Sequence, residues 1–224
     1  MSVALSAKFR DRDWDVLLRS MERGNCIPLL GPDLSTTQSE GSKRNLAIEL
    51  SRELAEILVE EKRFSVPDAN NLSQVAQMFQ NQFSRDELVV EVERFYDKHK
   101  EALIDCQAPT FRSLAALPFS LFVTSRHDSL LGHCLEALGK QPKTRSYQFK
   151  GDRIDILGHL GTVEAPLIYQ LYGSFDAPDS LVITVSDQLE FLRAVVSENP
   201  KLPTDLTNFF SGKNFLVLGF GLGK

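Results

Sequence analysis

Several kinds of chemistry are poorly provided for in this 224-residue sequence. It has three cysteines, Cys26, Cys106 and Cys134, widely spaced and odd in number, and no C-x-x-C. That excludes a disulfide framework and a zinc knuckle, and the thiols read as free and buried. His99 and His159 lie in separate segments without metal-ligand spacing, so no metal site is expected. No apolar run approaches a membrane span, and Met1 to Arg10 lacks the apolar core of a leader. Positive charge is also short: 25 Lys and Arg face 30 Asp and Glu, a net charge of -5. A chain built around phosphate backbones or anionic lipid needs a basic face, so neither nucleic acid nor membrane is an expected partner. The cytoplasm is the expected location. No internal repeat or low-complexity tract occurs.

What is present fits one large domain, or one domain with an inserted lobe, at 42% hydrophobic and 25% charged residues. Trp14, Leu17, Leu18 and Met21 follow helical spacing, and Gly24 supplies a left-handed stop. Cys26 to Leu30 reads as a short buried strand, although Pro28 suits a strand start or edge better than a ladder. Three helices are predicted next, at about Asn45–Glu61, from Asn71, and from a capping box at Ser84-Arg85-Asp86-Glu87. They form a helical lobe over about residues 40–105. A short helix from Thr110 to Leu117 introduces the strand Phe119–Thr124, and a helix from about Asp128 to Leu138 follows. The polar stretch Gly139–Asp152 reads as a mobile loop. Further strands are predicted at Leu167–Tyr172, Ser180–Thr184 and Phe215–Leu218. Between the last two lie a helix capped by Ser186 and a short helix, Thr204–Phe210. Strands alternating with helices predict an α/β fold with a mostly parallel sheet.

Four segments, in this order, resemble the sirtuin-like domains of bacterial defence proteins. Ile27-Pro28-Leu29-Leu30-Gly31-Pro32-Asp33-Leu34-Ser35 resembles the family's strand and Gly-Ala-Gly-x-Ser turn. Leu121-Phe122-Val123-Thr124-Ser125-Arg126-His127-Asp128 resembles its strand ending in Thr-Thr-Asn-Tyr-Asp. Pro166 to Ser174 resembles the stretch ending in Leu-His-Gly-Ser, with Ser180–Thr184, Asp187 and Phe191 as its continuation. Phe215-Leu216-Val217-Leu218-Gly219-Phe220-Gly221-Leu222 resembles the closing Gly-Tyr-Gly-Leu turn. The resemblance runs from about Trp14 to the end. It implies a Rossmann-like, mostly parallel sheet with an inserted helical lobe, as one domain over 1–224. It also implies an NAD or ADP-ribose-like ligand at Gly31, Pro32, Asp33, Ser35, Thr124, Asp128, Gly173, Gly219 and Gly221. The missing zinc cysteines set the chain apart from protein-deacylating sirtuins and nearer to the defence-associated NAD hydrolases.

The departures from the pattern bear on chemistry. Pro32 removes a backbone donor from the phosphate turn, and Asp33 adds a carboxylate. Two unit charges about 4 Å apart repel by about 1 to 4 kcal/mol at effective dielectrics of about 80 to 20. Arg126 stands at the family's asparagine position; it has no acceptor to orient a water and is permanently cationic. Tyr172 replaces the family's histidine, and a phenol is a poor general base near neutrality. His127 and His133 read as turn, surface or packing residues, and Glu60-Glu61-Lys62-Arg63 as a solvated helix end.

The expected function is therefore a degenerate binding, sensing or oligomerisation module in an antiviral defence protein, with no cofactor assured. The alternatives are an active NAD glycohydrolase with altered catalytic groups, and a ligand sensor in which Arg126 clamps an anion. The resemblance implies self-association and a C-terminal effector or assembly domain. The chain's end at Gly219 to Lys224 leads us to expect the N-terminal part of a longer protein.

Overall fold

A computed structural model describes residues 9–34, 36–39, 42–150, 160–175 and 177–220, except the side chains of 36–39, 42–44 and 102–108. Helix α1 (Asp11–Glu22) buries Met21, while Leu17 packs beside it. Trp14 and Leu18 remain half exposed, Trp14 tilted against Phe9 at 4.9 Å, so the helix buries a narrower stripe than its spacing predicts. Strand β1 (Cys26–Leu30) leads into a 3-10 turn, Pro32–Leu34. An antiparallel hairpin follows, β2 (Thr36–Ser39) and β3 (Ser42–Asn45). Its polar sequence gives no strand signal.

Helices α2 (Leu46–Lys62), α3 (Leu72–Gln82) and α4 (Arg85–Ala116) come next. The Asn45, Asn71 and Ser84 side chains each accept a backbone N–H of the helix they open, satisfying a donor with no partner in the first turn. Helix α4 runs on through Pro109, where two helices were expected. A proline inside a helix deletes one hydrogen bond and crowds the preceding turn, yet burial of Phe111, Leu114 and Ala115 beyond it holds the helix together. The lobe has its own core: Leu46, Leu50, Leu54 and Leu58 of α2 meet Val75 and Phe79 of α3 and Leu88, Val92 and Phe95 of α4. Leu181 and Ile183 join this core from beneath.

The remaining elements are β4 (Leu121–Thr124), α5 (Leu130–Ala137), β5 (Lys143–Ser146), β6 (Leu167–Gln170), α6 (Val185–Ser197), α7 (Thr204–Phe210) and β7 (Asn214–Leu218). The five main strands form one all-parallel sheet in the order β5-β6-β4-β1-β7. In register, Leu29 lies beside Val123 and Val217, and Val123 beside Tyr169. Phe122 and Ile168 face the cluster of α1, α4 and α5, while Leu121, Val123 and Tyr169 face α6 and α7. Burial on both faces is what a parallel α/β sheet requires. Pro28 occupies an interior strand after all. Its register with β4 begins only at Leu29↔Val123, so the missing donor falls just before that ladder.

Three expectations are corrected on this part of the chain. Within the predicted loop Gly139–Asp152, Lys143–Ser146 forms edge strand β5, and Tyr147 and Phe149 are buried; residues 151–159, with His159, lie outside the described residues. Ser180–Thr184, predicted as a strand, is no strand. Its backbone is satisfied by side chains instead: Arg85 donates to the carbonyls of Leu181 and Pro178, and Asp187 accepts the N–H groups of Ile183 and Thr184. Thr184, not Ser186, caps α6, in a reciprocal box with Asp187. Among the described residues, no helix is long and apolar enough to cross a membrane.

Candidate functional site

In an open parallel sheet the carboxyl ends of the strands border a crevice where backbone and loop groups converge. Here those ends deliver Gly31 from β1, Thr124 and the segment Ser125–Ser129 from β4, and Tyr172 from β6. A cleft of about 440 Å³ opens between them and the lobe. It is lined by Pro32 and Ser125 from the sheet side, Asn70 and Asn71 from the lobe, and His127 and Tyr172 at its back.

In the described part of the first turn the backbone donors are engaged within the fold. Gly31 N–H donates to the Leu218 carbonyl at 2.8 Å and Asp33 N–H to the Gly219 carbonyl at 2.9 Å. Leu34 N–H turns back to Gly31 at 3.4 Å, and Pro32 has no donor. A Cβ on Gly31 would lie 2.3 Å from the Gly219 oxygen, and one on Gly219 would lie 2.4 Å from Leu34. These glycines let the β1 and β7 turns lock together. Gly173 likewise sits against Ser180, whose oxygen a Cβ would meet at 2.1 Å. The Asp33 carboxylate is exposed and accepts from Asn45 Nδ2 at 2.9 Å, so it is directed at the start of α2 and does not line the cleft. Ser35 and Gly221 lie outside the described residues. The described part of this turn therefore does not fit a dinucleotide pyrophosphate held on backbone amides.

Arg126 is buried, and its Nε donates to Asp128 Oδ2 at 2.9 Å, with Nη2 on the same oxygen. The guanidinium lies 4.4 Å over the Phe111 ring. Its backbone N–H is held by Thr124 Oγ1, which in turn donates to the Leu30 carbonyl. The other Asp128 oxygen accepts from Leu130 N–H at the start of α5. A paired, stacked guanidinium is no ready anion clamp, because a phosphate would have to displace a buried carboxylate.

Tyr172 packs its ring edge-on against Phe191 of α6 at 5.2 Å. Burial pushes its phenol pKa up, further from base chemistry.

His127 is corrected from a turn or surface residue to a wall of the cleft. Its Nε2 lies 3.1 Å from the Tyr172 carbonyl, so that nitrogen carries the proton and Nδ1 keeps its lone pair. Desolvation pulls the imidazole down to about 4, against the opposing pull of the Tyr172 carbonyl and Asp128. The ring is neutral at pH 7. His127 borders two further cavities. One, under α5, is lined by Thr124, Arg126, Asp128 and Gln170. The other lies against α4. Gln170 is a site residue that sequence reasoning missed: it is buried, and its Oε1 has no hydrogen-bond partner among the described residues. Nothing in the sequence separates it from an ordinary strand residue.

The structure thus brings together Pro32, Thr124, Arg126, Asp128 and Tyr172 around the Ser125–Ser129 segment. Gly31, Asp33, Gly173 and Gly219 are not among the residues lining these three cavities. No group of three or more metal-ligating side chains occurs among the described residues. No curated protein matches the chain. The SIR2-like domain family model matches residues 120–224, from the residue before β4 to the end, which supports a sirtuin-like family for that half of the chain.

Proposed function

We propose that this chain is a degenerate SIR2-like domain that binds a nucleoside-sized ligand in its lobe-side cleft and does not cleave NAD. The match over 120–224 gives the reading its NAD-related direction. The observation that carries the degeneracy is the pair of bonds from Gly31 and Asp33 to the Leu218 and Gly219 carbonyls, which engage two of the amide donors that a pyrophosphate would use. The Arg126–Asp128 pair and the raised phenol of Tyr172 support it at the family's asparagine and histidine positions. The ligand is recognised by side chains of Asn70, Asn71, Ser125 and His127: the amide oxygens are held by Arg52 and the start of α3, so the two asparagines offer N–H donors and His127 offers Nδ1 as an acceptor to a ribose and a base edge. The setting, a bacterial defence protein with self-association and a C-terminal effector or assembly domain, rests on the resemblance.

Calorimetry with adenosine, nicotinamide riboside, ADP-ribose and NAD tests the binding half. Saturable binding of a nucleoside, with no gain from the pyrophosphate, is expected. A dinucleotide preference beyond roughly tenfold, about 1.4 kcal/mol, would contradict it. A second reading, an active NAD glycohydrolase, is favoured by one observation: the Nδ1 lone pair of His127 in a cleft that also holds two asparagines. Against it stands the low basicity of that ring. Nicotinamide release that His127→Gln abolishes would favour this second reading.

A further inference from the structure

The cavity on the far side of His127, between α4 and the start of α5, has chemistry of its own. Its volume of about 360 Å³ falls within the roughly 300–1,000 Å³ of small-molecule sites. Phe175 lines it, with the Tyr96 ring tilted beside it at 5.8 Å and the His127 ring at 6.1 Å. Three aromatic rings thus line one cavity, and aromatic faces are electron-rich. Glu93 and Asp97, one helical turn apart on α4, stand at the rim. Neither carboxylate has an ion-pair or hydrogen-bond partner among the described residues. Lys100 also borders the cavity and offsets one of the two charges, and Asp128 is neutralised by Arg126. The neutral His127 ring adds no positive charge.

We propose that this cavity is a binding site for a small organic cation of the quaternary-ammonium class, held by the Tyr96–Phe175–His127 walls and by Glu93 and Asp97. A delocalised, weakly hydrated cation gains from ring faces in a desolvated pocket, and surplus negative charge at the rim selects against anions and neutral molecules. A metal ion fits less well, because hard cations need converging oxygens and the walls here are aromatic.

The test titrates the full chain with choline, with tetramethylammonium, and with the uncharged isostere of choline in which carbon replaces the ammonium nitrogen. Saturable binding of choline is expected, with the isostere roughly tenfold weaker. Glu93→Gln combined with Asp97→Asn should weaken choline roughly tenfold while leaving nucleoside binding unchanged, since neither residue lines the lobe-side cleft. Phe175→Leu should weaken the cation with the far-ultraviolet circular dichroism preserved. No saturable binding of either cation, equal affinity for the isostere, or full choline affinity in the double variant would each overturn the proposal. Failure of nucleoside binding alone would strike the cleft and leave this site standing.

Discussion

Two buried carboxylates, Asp187 and Asp128, are each paired with arginine, and they do different work. Asp187 joins segments far apart in sequence: Arg85 of α4 at 2.7 Å, Lys150 at 2.7 Å, and the backbone N–H groups of Ile183 and Thr184. It ties the lobe to the segment that closes the cleft floor. Asp128 pairs with Arg126 two residues away and caps the start of α5, so it shapes one loop. A long-range node sets where the lobe sits, whereas a local pair shapes the loop that borders the cleft. The same ion chemistry thus joins distant segments in one place and orders a single loop in the other.

The largest effect expected from breaking this comparison belongs to Asp187→Ala. Two cations and two backbone donors lose their acceptor, and stability in urea should fall by about 3–5 kcal/mol. A loss below about 1 kcal/mol would mean that the lobe is held by its apolar core alone. Acid should act through the same group. Its pKa is lowered to about 2; burial opposes that shift, and Lys150, the Thr184 backbone and Arg85 overcome it. Its contribution is therefore complete above the unfolded value near 3.8 and fades as pH falls toward 2. Integrated over that window it amounts to about 2 kcal/mol. Urea midpoints between pH 5 and pH 2 measure it, and the slope should vanish in Asp187→Asn.

Asp128→Asn sharpens the other half of the comparison. Neutralising that partner frees the charge of Arg126, and affinity for ADP-ribose should rise about tenfold while adenosine binding stays constant. That matches about 1.5 kcal/mol for a charged hydrogen bond. An unchanged ADP-ribose affinity would remove the pair as the reason phosphates are refused. The smallest effect is spectroscopic. The His127 imidazole should titrate near 4 in proton NMR and show no change between pH 6 and 8. A midpoint near 6.5 would make it a solvated ring and reopen base catalysis.

Sequence periodicity made the frame legible wherever a face is apolar. The lobe helices and strands β1, β4 and β6 carry stripes or runs that burial explains, whereas edge strand β7 leaves Phe215 and Val217 exposed. It failed where polarity hides structure, or where apolar residues pack without a ladder. Lys143–Ser146 is an edge strand with no apolar signal, while Leu181–Ile183 is buried and apolar yet hydrogen-bonded by Arg85 and Asp187. Both failures have one cause: backbone partners are chosen by tertiary contacts that a local pattern does not contain. Among the site residues, Arg126 and Tyr172 stood out through the motif. The glycines are ambiguous in the sequence because the same residue type serves close approach to a ligand and close approach to another strand. Only the positions of Leu218 and Gly219 distinguish the two. His127 reads from the sequence as a turn or surface residue because its one-residue offset from Arg126 says nothing about the rotation that brings Nε2 to the Tyr172 carbonyl.

The central claim is that a turn whose Gly31 and Asp33 amides are already taken, beside a paired guanidinium and a raised phenol, does not break the nicotinamide–ribose bond. Following free nicotinamide over hours with the purified chain in excess NAD tests it most directly. Release indistinguishable from buffer is the expected result; repeated turnovers per chain, absent in Tyr172→Phe or His127→Gln, would contradict it.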